Sequence, residues 1–189
     1  MHNSDTPAGA GREPGAGGEF FAGEDAGDRA RARTEDPLEH ALGIALKYLN
    51  RRDRTVQEVR VRLERSAVDA RVAEDVIGRL VDEGLLDDAR FARLFAEDKR
   101  TLEAWGSDRI ERGLSARGIS PELVLDAIGV ESGDSELDRA LSLLRRRFPA
   151  ASQNRRDRDR ALGVLLRKGY DSELALDALA AHRREADAA

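Results

Sequence analysis

From residue 37 onward, apolar positions recur along the chain at steps of three and four, the interval of a single helix face. Leu38, Ala41, Leu42, Ala45, Leu46 and Leu49 fall on the first such stripe. The stretch TVQE at 55–58 then has the form of a capping box, in which Thr55 accepts from the Glu58 amide and Glu58 reaches back. Val56, Val59 and Leu63 form the apolar edge of this second helix. Asp69 is placed to cap a third, with Val72, Val76, Ile77, Leu80 and Val81 as its stripe and Gly84 as its end. The next helix opens at Asp87 or Asp88 and is expected to bury Phe91, Leu94 and Phe95, while Leu85 and Leu86 pin the connection.

The pattern then repeats. Leu63, Leu114 and Leu165 recur at 51-residue intervals. LSARGISPELVLDAI at 114–128 and LLRKGYDSELALDAL at 165–179 share seven of fifteen positions, where ordinary composition would give roughly one. Gly118 and Gly169 supply left-handed turns, and Ser120-Pro121 and Asp171-Ser172 start the helices that follow. Glu122 and Glu173 sit in the positively polarised first turns. The expectation is an all-α protein, a tandem array of three three-helix repeats spanning 37–86, 87–132 and 133–189. Units of about fifty residues bury little core alone and lean on their neighbours.

Composition changes this picture at the N-terminus. Residues 1–36 are rich in Gly, Ala, Asp and Glu, with Phe20 and Phe21 as the only large apolar side chains, and read as a disordered tail. The phenylalanine pair is either a docking motif or incidental. Over the whole chain, charged residues are 37%, aromatics are 4% and cysteine is absent, which favours helices and excludes disulfides and thiolate metal sites. No apolar run approaches the roughly 20 residues of a membrane span, and no signal peptide is visible. The chain reads as soluble and cytoplasmic. No unpaired apolar stripe calls for a dimer, so a monomer is expected.

Charge is unevenly distributed. The formal net charge is −5, yet 139–168 holds ten basic residues against Asp157 and Asp159. The run 145–160 concentrates Arg145, Arg146, Arg147, Arg155, Arg156, Arg158 and Arg160, and Lys168 follows. These side chains either grip carboxylates or phosphates of a partner or form a solvated face paired internally. Further candidates are Arg90, Arg93, Arg100 and Arg109, with Lys99, Arg112 and Arg117 beside them and Lys47, Arg51, Arg52 and Arg54 after the first helix. Trp105 and Tyr48 either stack on bases or pack internally. Catalysis finds no support. Asp87 and Asp88 point about 100° apart on a helix, His2, His40 and His182 lie apart from them, and no nucleophile, phosphate-loop or metal motif is present. No cofactor or metal is expected.

Several segments together resemble the RecX family of regulatory proteins. They include Ala45, Tyr48, Leu49, Arg52, Thr55 and Glu58, then the junction Gly84, Leu85, Leu86, Asp87, Asp88 with Phe91. Gly106, Arg109 and Ile110 follow, then Leu114, Gly118 and Ile119. The resemblance covers about 38–182, with Ser107 standing where a proline is more typical. It implies a curved, elongated helical solenoid that lies in the groove of the RecA–single-stranded DNA filament. It further implies lowered ATP hydrolysis, strand exchange and co-protease activity. On that reading the basic residues named above contact the RecA recombinase or DNA, single-stranded or duplex. A separate reading takes 107–128 and 158–179 as helix–turn–helix elements of a duplex-DNA binder.

Overall fold

The computed structural model describes residues 36–129, 136–150 and 154–188. The tail expected to be disordered, with Phe20 and Phe21, lies outside the described residues, as does the chain joining the second repeat to the third. Nine α-helices and no strand occur among the described residues. They are α1 (Pro37–Leu49), α2 (Val56–Arg65), α3 (Ala70–Asp82), α4 (Asp88–Glu103), α5 (Ser107–Ser115), α6 (Pro121–Gly129), α7 (Glu136–Arg147), α8 (Arg155–Lys168) and α9 (Ser172–Asp187). The helices group in threes around three hydrophobic clusters, one per repeat.

Local chemistry accounts for the helix ends. The Thr55–Glu58 capping box is present in full. Asp69 accepts from the Arg71 amide to start α3, and Asp171 accepts from Glu173 and Leu174 to start α9. Leu63, Leu114 and Leu165 are completely buried and occupy one and the same setting. Each offers its carbonyl to the amide five residues on: Val68 at 3.2 Å, Ile119 at 3.3 Å and Tyr170 at 3.2 Å. The residue in between is left-handed every time, namely Ala67 (φ 57°), Gly118 (φ 76°) and Gly169 (φ 86°). The helix-closing turn is therefore part of the repeat.

Burial departs from the expected stripes on α4. Ala92, Ala96 and Arg100 face the interior, Phe91 and Phe95 are half-buried, and Leu94 is 43% exposed. The repeat explains this: Ala41 and Ala92 lie 51 residues apart, as do Ala45 and Ala96, and these small side chains let the first helix of a repeat approach its core. The larger residues then lie at the margins. Val81 and Leu85 are likewise exposed, whereas Leu86 is 1% exposed and belongs to the first core. The connection is pinned by Leu86 rather than by both leucines.

Neighbouring repeats join by one recurring device. At the first joint the buried Thr55 hydroxyl donates to the Arg117 carbonyl (2.7 Å), and the Val56 amide donates to Asp88 (2.9 Å). At the second, the Gly106 amide donates to the Lys168 carbonyl (2.9 Å), both 51 residues beyond Thr55 and Arg117, and the Ser107 amide donates to Glu136 (2.7 Å), which stands three residues short of the register of Asp88. The start of one repeat's second helix thus rests on the closing turn of the next repeat, while a carboxylate of that repeat caps its free amide. The adjacent aspartates divide the labour. Asp87 accepts from the Arg90 amide and caps its own helix, and Asp88 caps the helix of its neighbour. Burial pushes the Asp88 carboxyl up, with the Val56 amide pulling the other way and the Asp87 charge adding to the rise. A raised folded-state value favours the fold where the acid is protonated and loses that contribution as pH climbs through the carboxylate range. Asp88 serves geometry, at some electrostatic cost.

Candidate functional site

A group of cations gathers at the second joint. The Lys168 ammonium donates to the Glu103 carbonyl across the joint (2.5 Å). Burial pushes its pKa down, and the charges of Arg109, Arg147 and Arg146 push it in the same direction against Glu103. Three further sequence candidates, Arg109 on α5 and Arg146 and Arg147 on α7, therefore lie near enough to Lys168 on α8 for their charges to act on it. Arg109 is held firmly, with its guanidinium 4.2 Å from the Trp105 ring centre and donating to the Arg167 carbonyl (2.9 Å). Arg146 and Arg147 leave the end of α7 exposed, with no ion pair to a described residue. Like charges gathered on a rigid seam lower the energy of an anion that settles there.

Rigidity comes from the same joint. The Asp108 amide donates to the Gly169 carbonyl (3.2 Å), and the Ser107 hydroxyl donates to Glu136 (2.8 Å). The Tyr170 phenol, pushed up to about 12 by burial, stays protonated and donates to the Ala104 carbonyl (3.2 Å).

The remaining candidates are scattered. Arg145 makes a two-toothed contact with Glu185 (2.9 and 2.5 Å) that ties α7 to α9, so it is engaged inside the third repeat. Arg155 faces Asp159 and Arg160 faces Asp157, both at 3.8 Å and well exposed; such pairs hold little and yield readily to a partner. Arg156 and Arg158 are exposed without an ion pair to a described residue. They lie in the first turn of α8, about 15–18 Å along the helix from Lys168. Arg90 and Arg93 are exposed on α4. Arg100 requires correction as a partner contact: it is buried, and its guanidinium donates to the Ile128 carbonyl (2.6 Å), fastening α4 to α6.

Both aromatic candidates are used internally. Trp105 meets Phe95 edge to face (centroids 6.2 Å apart) with Lys99 and Arg109 on its faces. Tyr48 lies under Arg54 at 3.9 Å. Reading charge as runs along the chain missed another grouping. Lys47 and Arg51 from the first helix and its exit meet Arg62 and Arg65 of α2 around a groove of about 530 Å³. Helical spacing of three between Arg62 and Arg65 was the available signal. No cluster of metal-ligating residues occurs among the described residues, and no described helix is long and apolar enough to cross a membrane.

The duplex-reading alternative meets a chemical obstacle. The helix that would enter a groove is α6 in one element and α9 in the other. The first exposes Glu122 and Asp126 and has no basic residue, and the second exposes Glu173 and Asp177 before any arginine. Carboxylates on that face repel phosphates.

Comparison with known proteins gives consistent matches. Residues 41–80 match the family model for the RecX first three-helix domain, and 87–128 match that for the RecX second three-helix domain. A regulatory protein RecX from Deinococcus radiodurans is 32% identical over 77% of this chain and 69% of its own length. Another, from Trichlorobacter lovleyi, is 34% identical over 69% of this chain and 87% of its own. Among solved structures, the crystal structure of RecX from Lactobacillus salivarius aligns with a TM-score of 0.69 at 22% identity, covering 82% of this chain and 99% of that one.

Proposed function

This chain belongs to the RecX family, and from that premise we propose that it is a non-enzymatic regulator that binds the RecA–single-stranded DNA filament in its groove. Bound there, it lowers ATP hydrolysis, strand exchange and co-protease activity. The observation that carries this reading is the convergence of Arg109, Arg146, Arg147 and Lys168 on the seam between the second and third repeats. A filament groove presents phosphates and subunit carboxylates along a helical path, and a rigid array with cations fixed at one seam is suited to follow it. The acid pair at 87–88 does structural work in this scheme, and no constellation for chemistry lies among the described residues.

The test separates cations that are free from those that are engaged. In a titration of recombinase ATP hydrolysis on single-stranded DNA, Arg146→Ala with Arg147→Ala should raise the half-inhibiting concentration about tenfold, the loss of roughly two charge-assisted contacts. Arg145→Ala should change it little, since its partner is Glu185. Equal inhibition by wild type and the double variant would remove the seam from the binding surface.

A further inference from the structure

In the first repeat the chain does not simply leave α3. The amides of Leu85 and Leu86 both donate to the Leu80 carbonyl (2.8 and 3.1 Å), and Leu86 drops into a core that contains Val59 and Ile77. Two residues later Asp88 accepts the Val56 amide. An apolar plug and an acid, supplied by the entry to the following repeat, thus complete the repeat before it.

Among the described residues, the third repeat has no such plug. At 102-residue register, His182 takes the place of Leu80, Ala161 that of Val59, Leu179 that of Ile77 and Arg158 that of Val56. Here α9 runs straight on to Asp187, past the point where the first repeat folds back. A groove of about 440 Å³ stays open between α7, α8 and α9, lined by Leu144, Phe148, Ala161 and Leu179 with Arg158 and Arg184 at its edge. Arg183 also lines it, and none of the described lining residues is an acid. At the register where the other two joints offer a backbone amide to a carboxylate, α8 offers a guanidinium, because the Arg158 amide already donates to the Asn154 carbonyl (3.2 Å).

We propose that this groove is a docking site for an acid-led amphipathic helix of another protein, whose apolar residue fills it and whose carboxylate, two positions on, meets Arg158. The occupant mimics the Leu86–Asp88 entry that completes the first repeat. A second copy of this chain fits poorly. Its receiving turn carries Ala67 where the other repeats have glycine, and at those glycines a Cβ would collide with the docking helix. The groove is distinct from the Lys168 seam, so the proposal stands or falls independently of filament binding.

A labelled synthetic peptide of residues 82–98, which carries Leu86 and Asp88, is the probe, titrated into the full-length protein and followed by fluorescence anisotropy. Saturable binding is expected, weakened about tenfold or more by Arg158→Glu in the protein and by Leu86→Ala or Asp88→Ala in the peptide. The peptide variants keep the test independent of protein folding. No anisotropy change up to about 1 mM, the weak limit of specific recognition, would overturn the proposal. So would displacement of the peptide by a single-stranded oligonucleotide, which would assign the arginines to phosphates. Concentration-dependent self-association abolished by Arg158→Glu would also overturn it, by making the occupant a second copy.

Discussion

Gly169→Ala should destabilise the protein by about 2–4 kcal/mol, combining left-handed backbone strain with overpacking. At φ 86° a side chain is strained before any contact is considered. A Cβ there would also lie 2.5 Å from the Arg109 amide nitrogen and 2.9 Å from its Cα. Those are backbone atoms at the start of α5, so relief requires the second joint to open. Opening it separates Gly106 from Lys168 and Ser107 from Glu136 together. The single tryptophan, Trp105, sits beside this joint and reports on it. Urea unfolding followed by its fluorescence should show a lower midpoint for Gly169→Ala. Ala67→Gly should shift the midpoint upward or leave it unchanged, because Ala67, in the same turn of the first repeat, is left-handed and exposed. Equal effects at both positions would mean that the joint is not what glycine serves.

Leu114→Ala should cost about 3 kcal/mol, within the 2–5 kcal/mol range for a fully buried leucine. Leu114 is completely buried among Ala92, Ala96, Ile110 and Val124, and the alanines around it are too small to collapse into the space. Its carbonyl also anchors the Ile119 amide and hence the turn on which the first repeat rests. The middle repeat takes part in both joints, so its loss should be felt throughout the array. Far-ultraviolet circular dichroism during thermal unfolding should show one lowered transition. A variant with unchanged thermal stability would place Leu114 outside the core.

Most of the fold is legible in the residues because its determinants are local or periodic. The capping box at Thr55, the cap at Asp69 and the 51-residue spacing of the three leucines each depend on neighbours in the chain or on a repeated motif. The departures have distant causes. Arg145 meets Glu185 across 40 residues, Arg100 meets Ile128 across 28, and Asp88 meets Val56 across 32. No run or spacing announces such partners. Leu94 looks like a core residue until the small Ala92 and Ala96 are seen to bring the helix inward. Charge was legible as an excess but not as a surface: the run 145–160 divides into an internal pair, weak exposed pairs, Arg156 and Arg158 without an ion pair to a described residue at the start of α8, and Arg146 and Arg147, likewise without one, at the second joint. Lys168 and Arg109, 59 positions apart in the chain, join Arg146 and Arg147 only through the fold. Ala67 shows the converse. Its place in the repeat follows from stepping back 51 residues from Gly118, although its identity hides it.

The most direct measurement of the central claim is recombinase filament length on single-stranded DNA with ATP, imaged by electron microscopy as this protein is added. A filament regulator shortens the filaments at substoichiometric to equimolar amounts, with ATP hydrolysis falling in parallel, and the Arg146→Ala, Arg147→Ala variant does so only at higher concentration. Filaments of unchanged length and undiminished hydrolysis at a molar excess of folded protein would contradict it.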